Sequence, residues 1–231
     1  MIIVYAMTRN LYPCFKPTLT SLLDHNYPEK IYILAEDDAL PYALPNCCEV
    51  VNVSGQTYFP PDNPNAKSQF TYMAMMRACY CDLFPDIDKV IQLDIDTIVA
   101  DSLQELWDMD ISGKWFASCP EYRSTYNPFG KEEYYNIGIC LYNLAQMRAD
   151  NAQTQLVDLL NGNQLFCLEQ DALNYLAVPD KCAKIPVRYN NSFCCGYTSN
   201  PAVIHFAGFP DWYHNRCMPK RKYLDKYIDG H

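Results

Sequence analysis

The chain has little of what would mark a nucleic-acid binder. Basic residues are in the minority, with 18 Lys and Arg against 27 Asp and Glu, which gives a net charge of -9. A partner held mainly by phosphate contacts with Lys and Arg would meet a repulsive overall field, which argues against a general nucleic-acid binder. A small nucleotide diphosphate is still compatible with this charge, because a bound divalent cation can hold it.

Long apolar runs and CxxC cysteine motifs are also absent. No stretch approaches the roughly 18 consecutive apolar residues of a spanning helix, and the start of the chain lacks a basic segment. We therefore expect a soluble, unexported, cytoplasmic protein. The twelve cysteines are scattered without the CxxC spacing of a zinc site, so we predict that most are reduced, buried thiols.

The composition that remains is typical of one folded domain. Of 231 residues, 49% are hydrophobic and 19% are charged, enough for a substantial core. Apolar runs predict strands at 2–7, 30–35, 50–53, 88–100 and 137–142. The polar stretch between the first two strands is long enough for a helix at 14–25, good helix formers predict one at 68–84, and polar helical sequence predicts helices at 144–161 and 169–176. Ser102 and Glu105 predict a capping box for a short helix between strands. This order predicts an α/β fold, with a mostly parallel central sheet flanked by helices and ligands at the carboxyl ends of the strands.

Asp94 and Asp96 are the first candidates for chemistry, because they interrupt an apolar strand. The period of two in an extended chain puts both carboxylates on one side, where they repel each other unless a cation lies between them. Oxygen ligands suit Mg²⁺ or Mn²⁺, which keep open positions for substrate phosphates. An isolated Asp-x-Asp is more often a turn with Asx hydrogen bonds, so the interpretation depends on its surroundings.

Five separated segments supply those surroundings. They are Ala6-Met-Thr-Arg-Asn-Leu-Tyr12; Arg77 through Asp94-Ile-Asp96 to Asp101-Ser-Leu-Gln-Glu-Leu-Trp107; Tyr135-Asn-Ile-Gly138, followed by residues 143–148; Glu169-Gln-Asp-Ala-Leu-Asn174; and His205-Phe-Ala-Gly208. Together they resemble glycosyltransferase family 8, which includes glycogenin and bacterial lipopolysaccharide galactosyltransferases. The resemblance covers about residues 2–212, and it implies a GT-A type fold with a Rossmann-like nucleotide-binding domain.

The resemblance also implies how one domain is divided and which residues hold the donor. Residues 1–100 would form a nucleotide-binding half, 101–212 a sugar and acceptor half, and 213–231 a C-terminal tail. The implied nucleotide-sugar contacts are Ala6, Thr8, Asn10 and Tyr12 at the base and ribose, Arg77 at the phosphate or sugar, Asp94 and Asp96, Asn136 at the sugar, and Gly138 and Gly208. His205 would complete a Mn²⁺ (or Mg²⁺) site with Asp94 and Asp96.

The implied reaction transfers a hexose, glucose or galactose, from a UDP-sugar to a glycan or other hydroxyl acceptor, with retention of the anomeric configuration. Gln170 would lie near the anomeric carbon, and Glu169 and Asp171 would orient sugar hydroxyls. The chain departs from the family pattern twice. Glu169 replaces the first Asp of Asp-Gln-Asp, and the diphosphate-binding Lys before Pro-Trp has no counterpart near Trp212.

Two other functions are open on this information. One is a nucleotide-sugar or glycan-binding module without turnover, which the missing Lys favours and the complete set of two acids and a histidine disfavours. The other is a nucleotidyltransferase, for which Thr8-Arg9-Asn10 is a poor triphosphate loop. Aromatic residues of the stretch 120–135 form either an acceptor surface or part of the core: Tyr122, Tyr126, Phe129, Tyr134 and Tyr135. We predict that this stretch is a mobile loop that closes over the donor. For the basic residues 220–222 we predict a solvated tail, and the alternative is that they fold back and supply the missing phosphate contacts.

Overall fold

Strands and helices alternate along the chain in the computed structural model, which describes residues 1–68, 70–122, 126–209 and 211–228. The strands are β1 (Ile2–Ala6), β2 (Lys30–Ala35), β3 (Cys48–Asn52), β4 (Lys89–Leu93), β5 (Thr97–Val99), β6 (Phe116–Pro120), β7 (Tyr135–Asn143), β8 (Cys182–Lys184) and β9 (Val203–His205). The helices are α1 (Tyr12–His25), α2 (Tyr72–Met76), α3 (Tyr80–Leu83), α4 (Gln104–Trp107), α5 (Leu144–Ala149), α6 (Ala152–Gly162), α7 (Glu169–Ala177) and α8 (Arg221–Ile228). Short 3-10 helices lie at Arg9–Leu11, Arg77–Cys79 and Val187–Asn190.

Seven of these strands form one sheet in the order β3-β2-β1-β4-β7-β6-β8, and β5 pairs with β9 in a small antiparallel sheet. The pairs β1–β2, β2–β3, β1–β4 and β6–β8 are parallel, whereas β7 runs antiparallel to β4 and β6. The chain adds β2 and β3 on one side of β1 and then places β4 on the other. This reversal creates a switch point between β1 and β4, where the carboxyl ends of the strands leave a crevice for ligands.

The core has one layer on each face of the large sheet. Side chains alternate along a strand, so Ile3 and Tyr5 of β1 join one hydrophobic cluster while Val4 joins the other. Residues of α1 and α8 cover the first face, and residues of α2, α3, α5, α6 and α7 cover the second. The mostly parallel sheet flanked by helices, predicted from the sequence, is therefore confirmed.

Two of the predicted helices are each divided. The stretch 68–84 contains α2, a 3-10 turn and α3, and the chain tightens at Arg77, whose guanidinium pairs with Asp94 and Glu169. The stretch 144–161 breaks between α5 and α6 at Asn151, which adopts a left-handed φ of 50°. Neither stretch contains Pro or Gly, so its composition does not reveal the break.

The segment around the two acids also differs from the prediction. β4 ends at Leu93 and β5 begins at Thr97 in the other sheet, so residues 94–96 form a turn rather than extended strand. The two carboxylates of Asp94 and Asp96 do lie close together, but the period of a strand is not the reason. The turn between β4 and β5 folds them towards each other.

The predicted capping box is wrong. Helix α4 begins at Gln104, whose N–H donates to Ser102 Oγ at 3.2 Å. Glu105 does not reach back to the start of the helix, since its carboxylate accepts hydrogen bonds from Arg188 and Tyr189 on the 3-10 turn before β9. A tertiary contact has replaced the local one.

The C-terminal segment packs onto the core instead of forming a solvated tail. Leu224 and Tyr227 of α8 are buried against the face covered by α1. Arg221 is also buried, and its Nη1 donates to three carbonyl oxygens at 2.7 to 3.3 Å: those of Trp212, Tyr213 and Asn215. This cation thus ties α8 to the segment that follows His205.

All twelve cysteines are free thiols, and six of them are buried. Burial raises the pKa of several of these thiols, for example that of Cys81 to about 11, which keeps them protonated and unreactive. Among the described residues, none of the helices combines the length and the apolar composition needed to cross a membrane.

Candidate active site

Three candidate metal ligands meet at the switch point between β1 and β4. Asp94 and Asp96 lie in the turn after β4, and His205 is the last residue of β9. One ligand atom from each side chain lies within 4.8 Å of the others. His205 Nε2 is 3.3 Å from Asp96 Oδ1 and 3.7 Å from Asp94 Oδ2. Two carboxylates and an imidazole provide a ligand set that fits a divalent cation such as Mn²⁺.

Neighbouring strands fix the turn that carries the two acids. The N–H of Asp94 donates to the carbonyl of Gly138 in β7 at 2.7 Å, and the Asp94 carbonyl accepts from Thr97 Oγ1 at 2.6 Å. Gln92 in β4 donates to Asp94 Oδ1 at 3.0 Å. Thr18 of α1 donates to the carbonyl of Ile95 at 2.7 Å. The site is therefore held by groups on α1, β4, β5 and β7 before any ligand binds.

The electrostatics of His205 reflect its position between the acids. Burial lowers the pKa of His205, but the carboxylates of Asp96 and Asp94 outweigh burial and raise it above its ordinary value. A proton and a cation compete for the same imidazole nitrogen, so binding of a cation at this site weakens as the pH falls.

Gly138 leaves the space that His205 occupies. A Cβ at position 138 would lie 2.2 Å from His205 Cε1 and 2.8 Å from Asp94 Oδ2, far closer than packed atoms approach. The register between β6 and β7 shifts at Ser118, whose hydroxyl bridges the carbonyls of β7 on either side of Gly138. A bulge of this kind re-aims a strand beside an active site. Gly208 differs, because it has a φ of 83° and open space around its Cβ position.

A buried ion pair lies behind the metal ligands. Arg77 contacts both Asp94 and Glu169, and Glu169 has no exposed surface. Burial raises the pKa of Glu169 to about 7, although Arg77 opposes the shift. Burial also acts to lower the pKa of Arg77, but Glu169 and Asp94 outweigh it, and the guanidinium stays charged. The pair thus links the start of α7 to the turn of the two acids.

The amides predicted to face the donor sugar share one carboxylate. Asn136 Nδ2 donates to Glu121 Oε1 at 2.9 Å, and Gln170 Nε2 lies 3.4 Å from the same oxygen. The Gln170 carbonyl accepts from the N–H of Ile137 at 3.0 Å, so the amide has a fixed orientation. Asn136 and Gln170 are therefore brought together, as the sequence segments suggested, by a residue that lies in none of those segments.

Asp171 lies on the same helix but has different partners. Its two oxygens accept from Tyr126 at 2.7 Å and Tyr134 at 2.6 Å, and Oδ2 also accepts from the N–H of Cys167 at 2.9 Å. Asp171 is buried, and the same Tyr134 hydroxyl accepts from Gln170 at 3.0 Å. In this structure Asp171 supports the position of Gln170 through Tyr134.

The predicted base and ribose residues lie at the end of β1. β1 and β4 are neighbours in the sheet, so Ala6 leaves it beside the two acids. Thr8 Oγ1 donates to Asn10 Oδ1, and the Tyr12 hydroxyl accepts from the N–H of Glu36 at 3.1 Å. A cavity of about 300 Å³ opens beside Tyr12. This loop is thus adjacent to the metal ligands.

The aromatic residues between 120 and 135 are divided between surface and core. Tyr134 and Tyr135 are buried, whereas Tyr122 is 63% exposed and Tyr126 is partly buried against Phe166. Of the stretch predicted to close over the donor, residues 123–125 lie outside the described part of the chain.

Three residues of the site were missed by the sequence analysis: Gln92, Glu121 and Asn190. Gln92 was visible as a lone amide in an apolar strand. Glu121 and Asn190 gave no signal, because Glu121 follows β6 and Asn190 ends a 3-10 turn, and neither belongs to a motif. Asn190 lies between two predicted residues, with Oδ1 3.0 Å from His205 Nδ1 and Nδ2 donating to Asn136 Oδ1 at 2.9 Å.

The sequence matches known proteins over most of its length. The family model described as Glycosyl transferase family 8 matches residues 21–212. A putative glycosyltransferase of Haemophilus influenzae is 29% identical over 176 residues, covering 62% of this chain and 52% of that protein. General stress protein A of Bacillus subtilis is 25% identical over 260 residues, covering 95% and 87%. Lipopolysaccharide 1,3-galactosyltransferase of Salmonella typhimurium is 26% identical over 157 residues, covering 62% and 46%. The chain thus spans about half the length of the first and third of these relatives.

Solved structures show a similar fold. An active-site mutant of LgtC has a TM-score of 0.82 at 19% identity, covering 100% of this chain and 96% of that one. The galactosyltransferase LgtC in complex with donor and acceptor sugar analogues has a TM-score of 0.80 at 20% identity, with the same coverage. These likenesses concern the fold, which is of the GT-A type. Together with the family match, they show that this chain belongs to glycosyltransferase family 8.

Proposed function

We propose that the protein is a retaining, metal-dependent hexosyltransferase. It transfers glucose or galactose from a UDP-sugar to a glycan or another hydroxyl acceptor. The observation that carries this proposal is the convergence of Asp94, Asp96 and His205 within 4.8 Å at the switch point, next to the Arg77–Glu169 pair. The net charge of the chain is -9, which is unfavourable to phosphate groups. A divalent cation bound by these three residues would supply the positive charge that a nucleotide diphosphate needs.

The donor would be bound along the edge between β1 and β7. In the proposal the half 1–100 holds the nucleotide through Ala6, Thr8, Asn10 and Tyr12, and the half 101–212 holds the sugar. The closeness of the β1 loop to the two acids supports this arrangement. When bound, the cation supplies Lewis-acid stabilisation of the charge on the leaving diphosphate.

The sugar would lie beside the amides of Asn136 and Gln170, with Arg77 between the sugar and the fully buried Glu169. Arg77 stabilises the charged form of Glu169 and can also meet donor oxygens, because its guanidinium has five N–H donors. Glu121 places a negative charge beside the Gln170 amide, and a negative charge stabilises the positive charge that develops at an anomeric carbon. An amide is a poor nucleophile, so Gln170 positions and stabilises rather than forming a covalent bond.

The acceptor would approach from the side with exposed aromatic rings. Phe166 and Tyr122 are 59% and 63% exposed. Phe166 contacts Tyr126, which binds Asp171 next to Gln170, and Tyr122 follows Glu121. Rings of this kind pack on the apolar faces of sugars, while the surrounding hydroxyls and amides meet the sugar hydroxyls. This arrangement supports a glycan acceptor over an apolar one.

The test is release of UDP from a panel of UDP-sugars in Mn²⁺ or in EDTA. We expect Mn²⁺-dependent release from UDP-glucose or UDP-galactose with the wild type and loss of release with Asp96→Ala. Asp108→Ala is the matched control, because Asp108 is an acid near the end of α4 that bonds only to Gln104 among the contacts described, and it should leave release unchanged.

The second measurement is calorimetry of UDP binding with and without Mn²⁺. Wild-type protein that neither releases UDP from any donor nor binds UDP more tightly with Mn²⁺ would overturn the proposal. Binding without release would instead point to a nucleotide-sugar-binding module.

A further inference from the structure

A continuous chain of side-chain hydrogen bonds connects the metal ligand His205 to the amide of Gln170. It runs from His205 Nδ1 to Asn190 Oδ1 at 3.0 Å, from Asn190 Nδ2 to Asn136 Oδ1 at 2.9 Å, and from Asn136 Nδ2 to Glu121 Oε1 at 2.9 Å. Gln170 Nε2 approaches that same Glu121 oxygen at 3.4 Å. His205, Asn190 and Asn136 are buried, so these groups have little access to water.

The direction of every bond in this chain follows from one backbone group. The N–H of Gly138 lies 3.1 Å from a terminal atom of the Asn136 side chain, and a backbone N–H can only donate, so that atom is the oxygen. The Asn190 atom that faces this oxygen must then be its nitrogen. The other end of the Asn190 amide is therefore its oxygen, and it faces His205 Nδ1.

An amide oxygen can only accept, so Nδ1 of His205 must carry the proton. In the neutral imidazole this leaves Nε2 without a proton. Nε2 is also the atom that faces Asp96 and Asp94. The tautomer that the chain of bonds imposes is the one that a metal ligand requires.

We propose that Asn190 is a positioning residue that fixes His205 in its Nδ1–H tautomer and ties the metal site to Asn136. Its oxygen orients the imidazole and its nitrogen orients the sugar-side amide, so a single side chain sets both ends of the donor site. The metal part of this inference rests on the proposed function. The tautomer itself does not, because it can be measured in metal-free protein.

The wild-type protein provides the first test. Long-range ¹H–¹⁵N correlation spectra of ¹⁵N-labelled protein in EDTA, at a pH where His205 is neutral, distinguish the two tautomers, and a His205→Gln sample assigns the signal. We expect the proton on Nδ1. A neutral His205 with its proton on Nε2 would overturn the proposal without any variant of Asn190.

Two variants separate the two functions of Asn190. Asn190→Leu removes both hydrogen bonds, so we expect mixed tautomers and a loss of Mn²⁺ affinity of about 10- to 100-fold. Asn190→Asp can still accept from Nδ1–H but cannot donate to Asn136. We therefore expect it to keep the tautomer and the Mn²⁺ affinity while UDP release falls, with the loss in kcat rather than in Mn²⁺ dependence.

Asn163→Asp is the matched control, because Asn163 is an exposed amide at the end of α6, bonded to the carbonyl of Leu159. It should change none of the three readouts. A folded Asn190→Leu variant with wild-type tautomer and Mn²⁺ affinity would refute the role of Asn190. An Asn190→Asp variant that loses as much Mn²⁺ affinity as Asn190→Leu would also refute it. The hydrogen bond from His205 Nδ1–H to the oxygen at position 190 would then contribute nothing to Mn²⁺ affinity.

Discussion

Gly138→Ala should disable the metal site while adding only one methyl group. The new Cβ would lie 2.2 Å from His205 Cε1, 2.9 Å from His205 Nε2 and 2.8 Å from Asp94 Oδ2. Carbon atoms pack at about 3.5 Å or more, so either the imidazole or β7 must retreat by roughly 1.3 Å. A shift of β7 would in turn strain the 2.7 Å bond from the Asp94 N–H to the Gly138 carbonyl.

This displacement is large compared with what a metal site tolerates. Ligand distances in such sites hold within about 0.2 Å, so moving His205 by six times that amount removes it from the ligand set. We expect Mn²⁺ affinity to fall about 100-fold, which is about 2.8 kcal/mol at 1.4 kcal/mol per decade. Overpacking should also cost about 1–3 kcal/mol in unfolding free energy, more than the stabilisation that Ala brings through the unfolded chain.

The assay is calorimetric titration of Mn²⁺ in the presence of UDP, together with thermal unfolding in EDTA. Gly162→Ala is the matched control, because Gly162 ends α6 and, its own helix backbone and chain neighbours aside, no atom lies within 4 Å of its Cβ position. The control should retain full Mn²⁺ affinity and melt at or slightly above the wild-type temperature. If Gly138→Ala also keeps wild-type Mn²⁺ affinity, the reasoning from the contact with His205 is refuted.

Three further predictions concern the surroundings of the site. Folding raises the pKa of Glu169 from an ordinary 4.5 to about 7, so the folded state retains a proton that the unfolded chain has released. The unfolding free energy should therefore fall by about 3 kcal/mol as the pH rises from about 4.5 to 7. In urea unfolding in EDTA, Glu169→Gln should lose this part of the pH dependence. The same pH dependence in wild type and variant would contradict the prediction. Glu121→Ala should lower kcat for UDP release about 10- to 100-fold with Mn²⁺ affinity unchanged, because Asn136 and Gln170 lose a charged acceptor; an equal loss of Mn²⁺ affinity would argue against it. Arg221→Ala should lower the unfolding free energy by about 3 kcal/mol and Tm by about 6–12 °C, because three carbonyl oxygens lose their donor. The control is Lys222→Ala at an exposed position. A wild-type Tm for Arg221→Ala would show that these carbonyl contacts contribute little.

The parts of the fold that were predictable are those where local chemistry and tertiary structure agree. The runs at β1 and β2 are apolar and short, the stretch between them has the length of a helix, and α7 has an acidic, helix-forming start, so each formed close to where it was predicted. The failures have tertiary causes. Arg77 tightens α2 and α3 towards Asp94, and Glu105 leaves its expected cap for Arg188, because long-range ion pairs outweigh local preferences.

The amino-acid sequence alone determined the fold class, the family and the three candidate metal ligands, because their types and spacing are local properties of the chain. It contained Asp94, Asp96 and His205, but only the tertiary structure brought the histidine to the acids across 109 residues of chain through the pairing of β5 with β9. The same holds for Asn190 and Glu121. Their importance depends on hydrogen bonds to residues distant in sequence, and such bonds exist only once the sheet has assembled.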